Sequence, residues 1–437
     1  MNLMISEKTV AFHTLGCKVN QYDTQAMRER FEQAGCRTVE FEDKADIYVV
    51  NTCTVTGTGD KKSMQTIRRC HRKNPEAAIV VTGCLAQRAA ESLRLPGVRL
   101  VLGTQRRGEV VQLLCRALES DCTLIAVETL RQAPFEQLTV HAHEGHTRAT
   151  MKIQEGCDRW CTYCIIPSVR GPIRSRPLSE IRAEAESLAD AGFKEAVLTG
   201  IHLTSYGRDK HGEITLLDAI REVHAVEGIE RIRLGSLEPV IVTEEFVRGL
   251  AQLPKVCHQF HLALQSGSDT VLARMRRRYT SGEFLTACAM LRETFDDCAL
   301  TTDVMTGFPG ETEEEFAQTI DTCKKAGFAR MHVFPYSERE GTKAAAMEGS
   351  VPRHIREERA RRLIAVGKEL ERAALESRVG KDEAVLIEEF DAQGCGVGYT
   401  GGYMHVRVPG GRLGCVEHVR IKGVAGNELE GALETEV

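Results

Sequence analysis

Short apolar runs alternate with amphipathic segments from residue 9 to residue 117, and this alternation restricts the fold more than any other feature of the sequence. The four apolar runs are TVAFHTL, DIYVVNT, AAIVVTG and VRLVLGT, and a segment with helical periodicity follows each of them. Such an order is typical of an α/β fold with a doubly wound parallel sheet. We therefore predict an N-terminal domain of this type over residues 1–118, followed by a linker over residues 119–142.

The same alternation resumes after the linker and then changes character. Six further apolar runs are separated by helical segments: ATMKIQEG, EAVLTG, RIRLGS, QFHLALQSGS, CALTTDVMTGFPGE and RMHVFPYS. They predict a full or partial (β/α) barrel over residues 143–375, with its chemistry at the carboxyl ends of the strands. Over residues 376–437, alternation in twos between glycine-rich turns predicts a small all-β barrel.

The composition argues against a membrane span and against a disulfide scaffold. The longest apolar run, AAIVVTGCLA, has about half the length that a bilayer span needs, and MNLMISEKTV lacks the layout of a signal peptide. We therefore expect a cytoplasmic protein with no membrane partner. Because cytoplasmic thiols stay reduced, the 16 cysteines indicate metal or redox chemistry for some of them.

The segment GCDRWCTYC brings together three cysteines, Cys157, Cys161 and Cys164, directly after the first apolar run of the predicted barrel. Thiolates bind zinc and iron-sulfur clusters, but structural zinc would need a fourth close ligand, and none follows. Three thiolates on a four-iron cluster leave one iron open. That iron can chelate S-adenosylmethionine, and an electron from the cluster then yields an adenosyl radical. The spacing C-x-x-x-C-x-x-C is typical of radical S-adenosylmethionine enzymes.

A second trio, Cys17, Cys53 and Cys84, is visible only against the predicted strands. Each cysteine comes just after an apolar run, and the gaps between them are about one βα unit long. Residues at equivalent places in consecutive units meet at the carboxyl edge of the sheet, where such folds bind ligands. The arrangement therefore predicts a second open cluster at this edge, and the alternative for any one of these cysteines is a small buried hydrophobe.

Several longer stretches carry a family resemblance: TLGCKVNQYDTQ, VVNTCTVT, VTGCLAQ, GCDRWCTYCIIPSVRG, LQSGSD, MRRRYT, TDVMTGFPGETEEEF and VFPYSEREGT. In these stretches the chain resembles the methylthiotransferases of the radical S-adenosylmethionine superfamily, over nearly its whole length. The resemblance implies a transferase with two 4Fe-4S clusters, one on each cysteine trio, and S-adenosylmethionine as cofactor. It also implies that the last domain is similar to the TRAM domain, a small RNA-binding β-barrel.

Within this family, GCKVNQYDTQ is similar to the branch that modifies N6-threonylcarbamoyladenosine in tRNA, so Lys18 and Val19 carry that assignment. The resemblance implies methylthiolation of adenine C2 at position 37, next to the anticodon, with two molecules of S-adenosylmethionine. One methylates a sulfur held at the N-terminal cluster, and the other is cleaved at the Cys157, Cys161 and Cys164 cluster. An electron donor and a sulfur source, neither identified by the sequence, complete the implied partners.

Other readings remain open at the level of sequence. The substrate is alternatively N6-isopentenyladenosine in tRNA or a ribosomal protein. A radical enzyme of different outcome would bind zinc at its N-terminal thiols, and a non-catalytic iron-sulfur or RNA-binding protein would not cleave S-adenosylmethionine.

Further cofactor contacts are expected from polar residues at the later strand ends of the barrel, which the resemblance places around S-adenosylmethionine. An ammonium group and ribose hydroxyls need hydrogen-bond acceptors of this kind, although each residue would equally serve as a loop cap. The predicted contacts are Thr199, Gly200, Ser236, Glu238, Gln265 and Asp303.

The charge of the TRAM-like region is at odds with RNA binding. Residues 376–437 hold six Lys/Arg and eleven Asp/Glu, whereas phosphate contacts need cations. Candidate phosphate contacts elsewhere are RGPIRSR (170–176), RMRRRY (274–279) and KKSMQTIRRCHRK (61–73), and we interpret the last as a solvated helix face.

Overall fold

The computed structural model describes residues 4–120, 122–141 and 147–434. The predicted boundary between linker and barrel, at residues 142 and 143, lies outside the described residues. Three units follow one another along the chain: a parallel sheet covered by helices, a partial barrel and a small closed barrel.

The N-terminal unit is the predicted doubly wound sheet. Its strand order is β2-β1-β3-β4-β5-β6, and all pairs are parallel. Separate apolar clusters cover its two faces, which explains why β3 and β4 are buried throughout. The strands are β1 (Thr9–Thr14), β2 (Arg37–Thr38), β3 (Ile47–Thr52), β4 (Ala78–Gly83), β5 (Val98–Leu102) and β6 (Leu124–Ala126), and the helices are α1 (Lys18–Gln33), α2 (Gly57–Lys73), α3 (Cys84–Ala89) and α4 (Val110–Glu119).

The middle unit is a partial barrel, in agreement with the sequence. Six parallel strands form two sheets, β10-β9-β7 and β11-β12-β13, and the bridges Ile232–Val256 and Leu237–Leu262 join them, while β8 adds to β7 in antiparallel fashion. The strands are β7 (Arg148–Glu155), β8 (Arg174–Ser175), β9 (Glu195–Gly200), β10 (Arg231–Leu234), β11 (Gln259–His261), β12 (Ala299–Thr306) and β13 (Arg330–Pro335). The helices are α5 (Ile166–Arg170), α6 (Leu178–Asp190), α7 (Leu216–His224), α8 (Glu244–Ala251), α9 (Asp269–Arg274), α10 (Ser281–Thr294), α11 (Glu313–Ala326) and α12 (Arg353–Glu376).

The C-terminal unit is the predicted small β-barrel, closed in the order β14-β15-β16-β18-β17. Its apolar interior also packs on Ala299 of the middle unit and Leu375 of α12. The strands are β14 (Asp382–Phe390), β15 (Cys395–Thr400), β16 (His405–Pro409), β17 (Val416–Ala425) and β18 (Glu428–Leu433). Over the part of the chain that is described, no helix has both the length and the apolar character of a membrane span.

A buried charge network joins the N-terminal unit to the barrel. Asp23 of α1 accepts hydrogen bonds from Lys152 Nζ at 2.6 Å, from Arg170 Nη1 at 3.2 Å and also from Arg107. Burial would raise the pKa of Asp23, but the three cations together hold it below its ordinary value. Glu155, at the end of β7, shares Arg170 at 3.1 Å. The two units therefore meet through ion pairs that water does not screen.

We expect Asp23→Ala to lower the free energy of unfolding by about 3–5 kcal/mol, because it leaves buried cations short of a partner. Urea unfolding of the iron-free chain, followed by circular dichroism, measures the change. The control is Glu186→Ala, which breaks an exposed pair with Arg182 and should cost less than about 1 kcal/mol. Equal losses for the two variants would contradict the network's role.

Candidate active site

Cys17, Cys53 and Cys84 lie at the carboxyl edge of the N-terminal sheet. Cys17 is the N-cap residue of α1, Cys53 directly follows β3, and Cys84 is the first residue of α3. The strands before them are neighbours in the sheet, and their ends are in register, with Thr52 opposite Gly83. The sheet thus brings together three thiols that are far apart in the sequence.

The approach of the Cys17 loop to Cys53 depends on Gly16. This residue has a φ of +106°, and a Cβ on it would lie 3.0 Å from the Cβ of Cys53 and 3.1 Å from its sulfur. Burial, helped by the neighbouring Cys17 and Cys53, raises the pKa of Cys84 to about 11 against the opposite effect of Arg170. Cys17 and Cys53 therefore lie close enough to Cys84 to act on its thiol.

The second trio occupies the loop that leaves β7, as predicted. Gly156 opens this loop with a φ of +76°, and a Cβ there would lie 1.8 Å from the carbonyl oxygen of Pro172. The Cys157 N–H donates to the carbonyl of Gly171 at 3.0 Å. These contacts fold the loop tightly against the segment that follows α5.

The thiols of this loop are also neighbours of one another. Burial raises the pKa of Cys157 to about 11 and that of Cys164 to about 12, and Cys161 adds to both shifts. The Cys164 N–H donates to the Cys161 carbonyl at 3.0 Å, closing a tight turn between the last two thiols.

In each trio, one sulfur accepts a hydrogen bond from a buried guanidinium group, and the two trios use different arginines. Arg170 Nε donates to Cys84 Sγ at 3.2 Å, and Arg277 Nη1 donates to Cys161 Sγ at 3.4 Å. A guanidinium at this distance stabilises the anionic form of a thiol. In the sequence both arginines belong to candidate phosphate contacts, and no local pattern indicates their bonds to sulfur.

The two trios are linked by direct packing. Cys84 of the N-terminal trio packs with Ile165 and Val169, and Ile165 is the residue after Cys164. Both loops therefore lie at the same interface between the sheet and the barrel.

A cavity of about 1420 Å³ lies between all three units. Tyr163, beside Cys164, contacts Phe308 with ring centroids 6.4 Å apart, and Phe308 contacts Tyr336 in the cavity wall at 5.6 Å. Among the described residues of the wall, Cys17 and Cys53 come from the N-terminal trio, and none comes from the barrel trio. A row of aromatic rings, from Tyr163 through Phe308 to Tyr336, leads from the barrel loop to the wall. Residues in the wall include Cys17, Lys18, Cys53, Arg148, Asp303, Tyr336 and Tyr403.

The predicted cofactor contacts divide into separate places. Asp303, within β12, lines the cavity and lies 3.4 Å from His261 Nε2, whereas Glu238 lies beside the barrel trio. The remaining four are at or just after strand ends: Thr199 and Gly200 end β9, Ser236 follows β10 and Gln265 follows β11. Their position near the carboxyl ends of the barrel strands is therefore as predicted from the sequence. Their binding of S-adenosylmethionine stays a prediction.

Glu238 already has three basic partners. Its carboxylate lies 2.9 Å from Arg277 Nη1, 3.1 Å from Arg159 Nε and 3.1 Å from His202 Nε2. Burial would raise the pKa of Glu238, but these partners lower it to about 2. Through Arg277 this carboxylate positions the hydrogen bond to Cys161. No spacing in the sequence indicates these partners.

The structure revises the candidate phosphate contacts. Arg170, Arg174 and Arg176 are buried, so the RGPIRSR segment presents no guanidinium to a nucleic acid. In RMRRRY, Arg277 points to Cys161, while Arg276 and Arg278 are exposed. Helix α2 leaves several basic side chains exposed, as predicted for a solvated face: Lys61, Lys62, Arg68, Arg69 and Arg72.

Each trio supplies the donors that an iron-sulfur cluster with one open iron needs. Within residues 4–120, 122–141 and 147–434, no group of three or more His, Cys, Asp or Glu side chains is arranged to hold a single metal ion. A four-iron cluster takes its thiolates on separate irons. That each trio holds such a cluster stays a prediction.

Comparison with known proteins shows the family of the chain. Residues 9–103 match the family described as Uncharacterized protein family UPF0004, and residues 151–323 match the Radical SAM superfamily. The chain is 44% identical to the threonylcarbamoyladenosine tRNA methylthiotransferase MtaB of Bacillus subtilis (strain 168), over 91% of this chain and 90% of that protein. It is 36% identical to the tRNA-2-methylthio-N(6)-dimethylallyladenosine synthase of Symbiobacterium thermophilum, over 98% and 94%.

Among solved structures, the radical S-adenosylmethionine methyltransferase TsrM from Kitasatospora setae, with cobalamin and a 4Fe-4S cluster bound, has a TM-score of 0.60 at 17% identity. The match covers 78% of this chain and 77% of that one and shows the shared fold.

The fold, the cysteine loop after β7 and these matches define a radical S-adenosylmethionine enzyme, a transferase. More closely, the chain belongs to the methylthiotransferase family of that superfamily. Membership implies S-adenosylmethionine and a 4Fe-4S cluster.

Proposed function

We propose that this enzyme methylthiolates C2 of N6-threonylcarbamoyladenosine at position 37 of tRNA, in the cytoplasm, with two 4Fe-4S clusters. The observation that carries the proposal is that the loops of two cysteine trios pack at one interface beside a large cavity. One trio follows strands of the N-terminal sheet, and the other follows β7 of the barrel. The hydrogen on adenine C2 is beyond the reach of any side-chain base at neutral pH. The reaction needs removal of the C2 hydrogen and delivery of sulfur. Radical chemistry at one trio would provide the first, and sulfur held at the other trio would provide the second.

The chain's own residues bind and orient the two centres. Cys157, Cys161 and Cys164 would hold one cluster, and Cys17, Cys53 and Cys84 would hold the other. When bound, the first centre supplies an electron and the second supplies a site for sulfur. The arginines described above place positive charge beside one sulfur of each trio.

The proposed reaction balances with sulfur supplied at the sulfide level. One S-adenosylmethionine gives its methyl group to that sulfur and leaves as S-adenosylhomocysteine. The other takes up one electron and the hydrogen atom from C2 as its C5′–S bond breaks, giving methionine and 5′-deoxyadenosine. Formation of the C2–S bond releases one electron, so a low-potential electron donor only starts the cycle.

The proposed substrate is supported by the sequence identity to two relatives, and tRNA from cells provides the test. The relative named for threonylcarbamoyladenosine is more similar than the one named for dimethylallyladenosine, at 44% against 36% identity. Nucleosides of tRNA from a strain lacking its own enzyme, complemented with this chain, should contain 2-methylthio-N6-threonylcarbamoyladenosine by mass spectrometry. Appearance of the 2-methylthio isopentenyl nucleoside instead would move the enzyme to the other branch. If neither nucleoside appears, the proposal is refuted.

We expect the exposed Arg276 and Arg278, which flank the buried Arg277, to contact tRNA phosphates. Replacing both by alanine should reduce the slope of log affinity against log salt by about 1 to 2. Fluorescence anisotropy with labelled tRNA at several salt concentrations measures the slope. Arg248→Ala, an exposed arginine on α8, serves as the control, and an unchanged slope in the double variant would remove this patch from the binding surface.

A further inference from the structure

A cluster of cations and tyrosines lies beside the N-terminal trio, and three of its members, Lys18, Arg148 and Tyr403, line the cavity. The rings of Tyr399 and Tyr403 stack with centroids 4.8 Å apart. Arg148 lies over both rings, at 4.8 Å and 5.0 Å, and Arg233 lies 4.8 Å from Tyr403. Lys18 Nζ approaches the same ring at 6.0 Å. We call these five residues the basic-aromatic cluster. It combines side chains of all three units.

Lys18 connects this cluster to the site of chemistry. It directly follows Cys17, and its side chain is exposed to the cavity that Cys17 and Cys53 also line. In the described part of the chain, no carboxylate lies within ion-pair distance of Lys18. Burial and the nearby Arg148 and Arg233 lower its pKa, while the phenol of Tyr403 and, after it, Glu195 favour the charged form. Glu195 is itself paired with Arg231 at 2.9 Å and with Arg233 at 2.7 Å.

The charges around the cluster do not cancel. Four cations, Lys18, Arg148, Arg231 and Arg233, face two carboxylates, Glu195 and Glu388, and Glu388 pairs with Arg148 at 2.6 Å. The phenol of Tyr403 responds to this excess: burial would raise its pKa, but Arg148, Lys18 and Arg233 hold it below the ordinary value. A half-enclosed surplus of positive charge beside a reactive centre suits an anionic group of the substrate.

We propose that Lys18 and Arg148 bind the carboxylate of the threonylcarbamoyl group and so select this nucleoside. The inference rests on the proposed function. In adenine, C2 and C6 are separated only by N1, so a group on N6 lies close to whatever attacks C2. The threonylcarbamoyl group ends in a carboxylate, whereas the dimethylallyl group is a hydrocarbon. An unpaired lysine ammonium favours the first and disfavours the second.

The test compares three anticodon stem-loop RNAs that differ at position 37: threonylcarbamoyladenosine, its neutral methyl ester and unmodified adenosine. Binding to the anaerobically reconstituted enzyme is measured at one fixed salt concentration. We expect the natural enzyme to prefer the carboxylate over the ester by about 10- to 100-fold, the range for a hydrogen bond between charged groups. Lys18→Gln should lose this preference, and Lys18→Arg, which keeps the charge, should retain most of it.

Two results would overturn the inference. In the first, the natural enzyme and Lys18→Gln show the same ratio of affinities for the carboxylate RNA and the ester RNA, so that Lys18 makes no difference. In the second, Lys18→Gln weakens the binding of all three RNAs equally, which would mean that Lys18 contacts a backbone phosphate. Turnover of the threonylcarbamoyl RNA by the natural enzyme is measured in parallel. Its absence would refute the proposed function, whereas product formation together with either binding result would refute the carboxylate site alone.

Discussion

Replacing Cys161 by alanine is expected to abolish both reductive cleavage of S-adenosylmethionine and formation of the methylthio nucleoside. Cys161 is the middle thiol of the loop after β7 and accepts the hydrogen bond from Arg277. Two thiolates cannot hold a cluster in the geometry that three provide, so the electron for cleavage is lost. Mass spectrometry of 5′-deoxyadenosine and of the tRNA nucleosides, after anaerobic reconstitution, should show both products at background.

The matched control for this variant is Cys122→Ala. Cys122 is an exposed thiol, remote in sequence from both trios, and it donates to the Ser120 hydroxyl at 3.3 Å. It should leave both products unchanged. Substantial 5′-deoxyadenosine from the Cys161→Ala enzyme would show that this loop is not the site of cleavage.

The second large effect is a separation of the two activities. Cys17→Ala should leave cleavage of S-adenosylmethionine within about threefold of the natural rate and reduce methylthio product to background. The reason is that Cys17 belongs to the sheet edge, whereas the cleavage loop is built by the barrel and keeps its three thiols. The same two mass-spectrometric measurements on one reaction mixture give both numbers.

Cys36→Ala is the control within the same domain. Cys36 is buried in the apolar cluster on one face of the sheet and bonds to the Ile5 carbonyl, away from the strand ends. Its loss should weaken packing and leave product formation in place. Persistent methylthio product in the Cys17→Ala enzyme would mean that the N-terminal trio does not handle sulfur.

The sequence was sufficient to predict both trios because each depends on a local rule. The loop trio is a matter of spacing alone. The N-terminal trio follows from strand ends that share one edge. The observed register, with Thr52 opposite Gly83, makes Cys53 and Cys84 equivalent, and Thr14 opposite Asn51 leaves Cys17 one residue further along. Apolar periodicity likewise predicted the long strands, and it missed β2, β6 and β8 because two or three residues carry no period. Strand β6 lies within the segment that we interpreted as a linker.

What the sequence did not reveal are the partners of its charged residues. The RGPIRSR segment looks like a phosphate-binding patch until its arginines are seen to meet carboxylates such as Asp23, 147 positions from Arg170. Glu238 is a similar case, because Arg277 and His202 reach it from other loops. Contacts of this kind are set by the packing of domains, which no local pattern encodes. The cavity, with walls from three units, was hidden for the same reason.

The most direct test counts iron and acid-labile sulfide per chain in the anaerobically reconstituted protein. Two independently loaded centres predict about eight irons in the natural chain, and about four after either trio is replaced entirely by alanine. A natural chain that saturates at about four irons, or one trio variant that loses all of its iron, would contradict the account.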